Sequence, residues 1–123
     1  MDTYADIFKA LSDLNRLRIV VALLKSGTEL CICEIMDTLD IAQYNVSRYV
    51  KELRIADILK ERREGRFVFY SVKKPETDVE KYLNKALKVM GNDMSEEDRK
   101  RLKKRLALRQ DVKCVVGMRG CKS

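Results

Sequence analysis

The stretch DIAQYNVSRYVKELRIADIL, Asp40 to Leu59, decides how the rest of the chain is read. Wound at about 100° per residue, it puts Val46, Val50 and Leu53 on one narrow apolar stripe. Tyr44, Ser47, Arg48 and Lys51 gather on the opposite face, with Gln43 and Asn45 near the start. A face that only solvates a helix usually carries charges of both signs. Two hydroxyls, a guanidinium and an ammonium suit phosphate oxygens and base edges in a major groove instead. An ordinary amphipathic helix has the same outline, so the flanking segments must decide.

Upstream, Thr3 and Asp6 have capping-box spacing, and Ile7, Phe8 and Leu11 supply the stripe of a first helix. Ser12 and Asp13 interrupt it and can cap a second helix. Leu14, Leu17, Val21 and Leu24 recur there at buried-helix spacing, and Gly27 is placed for a left-handed stop. A third helix is predicted from about Leu30 to Leu39, with Ile32, Ile35, Met36 and Leu39 inward. Asp40 is then the expected cap of the fourth. Two short helices joined by so tight a turn form the pattern of a helix-turn-helix.

Downstream of Asp57 the period changes from helical to two. Ile58–Arg62 and Phe67–Val72 read as strands joined through Arg63-Glu64-Gly65-Arg66, a hairpin wing with arginines at its tip. Pro75 opens a fifth helix, Glu76 to Met90. Its Val79, Leu83, Ala86, Leu87 and Met90, with Tyr82 beside them, are expected to pack with the first helix against a second copy, the rival being that the helix folds back on its own domain. Ser95 and Asp98 start a last helix, EEDRKRLKKRLALRQ, acidic at its start and basic afterwards, with a thin stripe of Leu102, Leu106 and Leu108. The tail DVKCVVGMRGCKS is expected to be mobile unless a ligand or partner orders it.

Composition narrows the function. The 123 residues fit one compact domain, and a formal net charge of +7 favours an anionic partner, nucleic acid before membrane. The longest apolar run, Ile19 to Leu24, is too short to span a bilayer, and the start reads as a capped helix rather than a cleavable signal. A cytoplasmic protein is expected. Histidine is absent, which removes the commonest general base and the commonest zinc ligand. No glycine-rich phosphate loop exists, so an enzyme is not expected. Four cysteines in a reducing compartment point to ligands or redox sensors rather than staples.

FKALSDLNRLRIVVALL, ELCICEI and VSRYVKELRIADILKERREGRFVFYSV together resemble the ArsR/SmtB family of metal-responsive repressors over roughly residues 5 to 75. The resemblance implies a dimeric winged helix-turn-helix protein that represses a detoxification operon and leaves DNA when an inducer binds. ELCICE is similar to the ELCVCDLC arsenic-binding signature of the arsenite-responsive branch. Cys31 and Cys33 match its first two cysteines, and Met36 stands at the third. Leu14 replaces a usual proline, Tyr49 a usual histidine and Asp57 a usual glycine.

On a regular helix Cys31 and Cys33 fall about 200° apart, too far round to share one ion. A common centre therefore requires the first turn of the third helix to unwind or to start later. Soft thiolates without histidine neighbours favour arsenite or antimonite over hard cations. Cys114 or Cys121 is the candidate third thiolate, from either protomer, since the residues after Arg109 could reach about 40 Å extended.

The expectation is a mainly α (α+β) winged helix-turn-helix with a two-stranded β-wing and dimerising terminal helices. Residues 1–92 form the DNA-binding and dimerisation domain, and 93–123 a basic helix with a cysteine-containing tail. Gln43, Tyr44, Asn45, Ser47, Arg48 and Lys51 face operator DNA, Arg63 and Arg66 reach flanking phosphates, and Cys31 and Cys33 form the core of an As(III)/Sb(III) inducer site. No cofactor is required. Two rival readings are a thiol-redox or persulfide signal on the same fold, and a protein-interaction module that does not read DNA sequence.

Overall fold

The computed structural model describes residues 1–109. Its elements are α1 (Asp2–Leu11), α2 (Leu14–Ser26), β1 (Leu30–Cys31), α3 (Ile32–Leu39), α4 (Gln43–Ile55), β2 (Leu59–Glu64), β3 (Phe67–Val72), α5 (Asp78–Met90), a 3-10 turn (Gly91–Asp93) and α6 (Glu96–Ala107). The fold is a winged helix-turn-helix, mainly helical, with one antiparallel sheet of order β1-β3-β2.

α2 is the axle, packing against α1, α3, α4, α5 and β3. Asp13 caps it by accepting from the Arg16 N–H at 3.0 Å, and Gly27 ends it at φ 67°. Because neighbours surround α2, its buried residues are Ile19 to Leu23 in an unbroken run. The expected stripe is displaced: Leu14 lies in solvent, and Leu17 and Leu24 are half-buried. α1 begins at Asp2 without a side-chain cap, so Thr3 and Asp6 lie inside the helix rather than forming its start.

The sheet has one strand more than expected. Leu30 and Cys31 pair with Tyr70 and Phe69, so the predicted third helix starts two residues late, at Ile32. Asp40 does not cap α4. It closes α3 in the left-handed region at φ 55°, and α4 starts after Ala42 with no side-chain cap. A second aspartate, Asp57, holds φ 62° between α4 and β2, where a glycine would sit without strain. Its carboxylate accepts from Lys73 Nζ at 2.6 Å. β2 and β3 pair from Leu59↔Val72 to Glu64↔Phe67, which leaves Gly65 and Arg66 as a two-residue turn with Gly65 at φ 61°.

α5 starts at Asp78, behind a Thr77 hydroxyl that accepts from the Glu80 N–H. Its predicted apolar face divides in two. Leu87 is buried in the chain's own core and Leu83 packs against that core. Val79, Tyr82, Ala86 and Val89 form a separate outward stripe, with Tyr82 67% exposed. Leu87 is therefore not on an outward face, and Leu83 lies at the border between core and surface. Every residue of α3 is buried, including Glu34, Asp37 and Thr38, because α6 lies along its outer side.

Candidate nucleic-acid interface and thiol site

The inward stripe of α4 is as expected, with Val46, Val50 and Leu53 essentially out of water. Each fully buried side chain of this size contributes about 1.5–3 kcal/mol, which fixes the rotation of the helix about its axis. That rotation leaves Gln43, Tyr44, Arg48 and Lys51 exposed and Asn45 and Ser47 half-buried. The Arg48 guanidinium lies 5.9 Å from the Tyr44 ring centroid and 5.1 Å from that of Tyr49. Cation–π contact with two rings limits the rotamers of Arg48 before any partner arrives. Tyr49 is itself placed by α2, since Asn15 Nδ2 donates to its hydroxyl at 3.3 Å.

Ion pairs tie α4 to the rest of the domain at both sides. Arg16 of α2 pairs with Glu52, and Arg54 reaches Glu61 of β2 at 2.6 Å. On the hairpin, Arg62 is exposed but already paired. It pairs with Glu29 at 2.5 Å and Glu64 at 2.9 Å, and sits 5.0 Å from the Phe69 ring centroid. Hydrogen bonds that it donates to Glu29, then to Glu64, hold its guanidinium above the ordinary arginine range. Arg63 and Arg66 are exposed at the tip and form no ion pair among the described residues. Residue type alone does not separate Arg62 from its neighbours. Its register opposite Phe69 does.

The two described cysteines flank the β1–α3 junction. Cys31 has an extended backbone, φ −88° and ψ 170°, as the N-cap of α3, and Cys33 is the second helical residue. Cys31 lies outside the helix, so the 200° separation of a regular helix does not apply to the pair. Both are completely buried. Cys33 is a free thiol, whereas Cys31 is disulfide-bonded. Cys114 and Cys121 lie outside the described residues. Among the described residues, no group of three or more histidine, cysteine or carboxylate side chains could hold a metal ion.

One carboxylate organises this junction. Glu34 Oε1 accepts from the Cys31 N–H at 3.1 Å, the backbone half of a capping box. The same carboxylate receives Arg109, with Nε to Oε2 and Nη2 to Oε1 both at 2.6 Å. Arg109 Nη2 also donates to the Glu29 carbonyl at 2.7 Å. Further along, Arg105 meets Asp37 at 2.9 Å and Arg101 donates to the Thr38 carbonyl at 2.9 Å. Helical periodicity alone does not mark these arginines as anchors. Their spacing of four, set against Glu34, Asp37 and Thr38 on the nominal polar face of α3, is the signal that could have found them. No described helix is long and apolar enough to cross a membrane.

Residues 13–61 match the model of a family described as "Bacterial regulatory protein, arsR family". An arsenic resistance transcriptional regulator of Pseudomonas putida is 41% identical over 64 residues, covering 52% of this chain and 49% of that protein, so the match spans about half the relative's length. An HTH-type transcriptional regulator of Methanocaldococcus jannaschii is 40% identical over 68 residues, 55% of this chain and 75% of its own. Among solved structures, the transcriptional repressor PagR of Bacillus anthracis superposes with a TM-score of 0.60 at 26% identity, covering 72% of this chain and 93% of that one.

Proposed function

The chain belongs to the ArsR family of bacterial regulatory proteins, and from that premise we propose that it is a non-catalytic, cytoplasmic, homodimeric repressor of double-stranded operator DNA, released by arsenite or antimonite. Gln43, Tyr44, Asn45, Ser47, Arg48 and Lys51 meet the major groove, and Arg63 and Arg66 meet flanking phosphates. Dimerisation uses the outward stripe of α5 with Phe8 of α1, four of whose apolar side chains (Phe8, Val79, Tyr82 and Val89) are 45% exposed or more. Residues 1–92 carry both activities, and 93–123 form a basic helix and a cysteine-containing tail.

The observation that carries the inducer reading is the placement of Cys31 and Cys33 at the start of α3, which runs directly into α4 through residues 40–42. Two soft donors at the N-terminal end of a helix coupled to the proposed DNA-facing helix suit a thiophilic, three-coordinate centre. Cys114 or Cys121 supplies the third thiolate. Both described cysteines are buried and Cys31 is disulfide-bonded, so Cys31 must be reduced and the junction must open before the two can share a ligand.

The test is arsenite titration of a preformed operator complex under strict reduction, followed by fluorescence anisotropy. Wild type should be released. Cys31→Ser and Cys33→Ser should bind operator normally and resist release, because serine keeps the packing and removes the soft ligand. Release of the double variant at the wild-type arsenite concentration would refute the site. The disulfide at Cys31 favours a second reading, in which thiol oxidation or persulfide formation is the signal. Release by peroxide alone, reversed by a thiol reductant, would select it.

A further inference from the structure

We infer that Arg109, acting through Glu34, is a positioning residue for the thiol site, so that α6 is a latch that sets how readily the site opens. The inference rests on the thiol reading of Cys31 and Cys33. α6 runs antiparallel to α3, since Arg101, Arg105 and Arg109 meet Thr38, Asp37 and Glu34 in that order. At four-residue spacing the three arginines share one face of the helix and its continuation.

Glu34 is the point where two constraints meet. It has no solvent exposure, and its Oε1 holds both the Cys31 N–H and Arg109 Nη2. The guanidinium grips both carboxylate oxygens, a fork geometry that fixes orientation as well as distance. Glu34 cannot swing away without leaving Arg109 half-paired. Nor can Cys31 leave its N-cap position without stripping a donor from a buried carboxylate. Opening the first turn of α3 and lifting the end of α6 are therefore linked.

Linkage works in both directions. If α6 resists opening, a ligand that needs the open turn binds more weakly while the latch is closed. Removing Arg109 should then sensitise the protein rather than disable it. The buried Arg105–Asp37 pair keeps the last turn of α6 seated when the segment beyond it lifts, so the motion is local.

Amide hydrogen exchange on reduced full-length protein tests the latch without ligand, comparing wild type, Arg109→Gln, Arg109→Lys, Glu34→Gln and the Gln double variant. Arg109→Gln and Glu34→Gln should each speed exchange at residues 31–35 about fivefold or more. The double variant should do no more than the larger single one, and Arg109→Lys should fall between. In the operator-release assay the arsenite midpoint should drop by the same factor. Unchanged exchange at 31–35 in Arg109→Gln, or additive effects in the double variant, would overturn the latch whatever arsenite does. Faster exchange with an unchanged midpoint would overturn its regulatory role. A wild-type complex indifferent to arsenite would remove the inducer reading alone, since exchange would still decide the latch. Should Glu34→Gln fail to fold, the two Arg109 variants are sufficient.

Discussion

The guanidinium of Arg105 lies 2.9 Å from the carboxylate of Asp37, with the two side chains 0% and 2% exposed. A residue that reads as part of a solvated basic helix is thus a fully enclosed member of the domain. The pairing fastens α6 to α3, and with it the C-terminal segment to the helix that precedes α4.

Breaking that pair from one side should be costly. Arg105→Met strands a buried carboxylate and should lower stability by about 3–5 kcal/mol in chemical denaturation. Arg105→Met combined with Asp37→Leu should recover most of the loss, because the desolvation penalty disappears along with the attraction. A double variant as unstable as the single would show that neighbouring groups rather than the pair hold α6.

The divided face of α5 predicts two opposite phenotypes. Glutamate at Tyr82 and Val89 together should give folded monomer by sedimentation, with operator affinity reduced about 10²-fold or more, since one dimer no longer joins two half-sites. Leu87→Glu should unfold the protein instead, because it puts a charge into the core. Persistent dimer in the Tyr82/Val89 variant would move the interface elsewhere.

Arg48→Ala and Arg66→Ala should differ in kind. Loss of Arg48, held against two tyrosine rings beside the side chains proposed to face the groove, should cost about 1–3 kcal/mol and relax sequence preference. Arg66, at the wing tip, should weaken operator and random DNA alike and reduce the salt slope by about 1. Matching effects of the two variants on both DNAs would abolish the distinction.

Alkali should destabilise the fold from about pH 10 upward. Burial raises the Tyr70 phenol above its ordinary 10.0, and hydrogen bonds to Asp57 and then Glu76 raise the Lys73 ammonium above 10.5. In both cases the folded state keeps a proton that the unfolded chain releases first. The stabilisation is complete below the unfolded pKa and is lost as pH rises through the folded one. Tyr70→Phe should flatten part of this fall in denaturation midpoints, and an unchanged pH profile would show that Tyr70 titrates normally.

The readable parts of the chain were those where one local signal suffices. Val46, Val50 and Leu53 set the rotation of α4, and Gly65 alone marks the wing turn. What escaped depended on distant partners. β1 is two residues long, too short for any alternation to register, and exists because β3 offers it an edge. Glu34 and Asp37 look like solvent-facing charge until Arg105 and Arg109, some seventy residues later, enclose them. Asp40 and Asp57 hold left-handed backbone where residue type suggests only a cap or a departure from glycine. In α5 the helical period was correct, but a single apolar wheel does not say which half meets its own core and which half remains outside.

The pairing of Cys31 with Phe69 makes the cysteine segment the third strand of the wing's own sheet. Across Phe69 lies Arg62, one residue from the tip arginine Arg63. A ligand that draws Cys31 off this edge leaves a bare two-stranded ribbon, a structure of marginal stability in water. Thiol chemistry would then soften the arm proposed to grip the duplex backbone, so release would begin as a loss of stiffness at the wing, visible as faster amide exchange in β3 before α4 has moved.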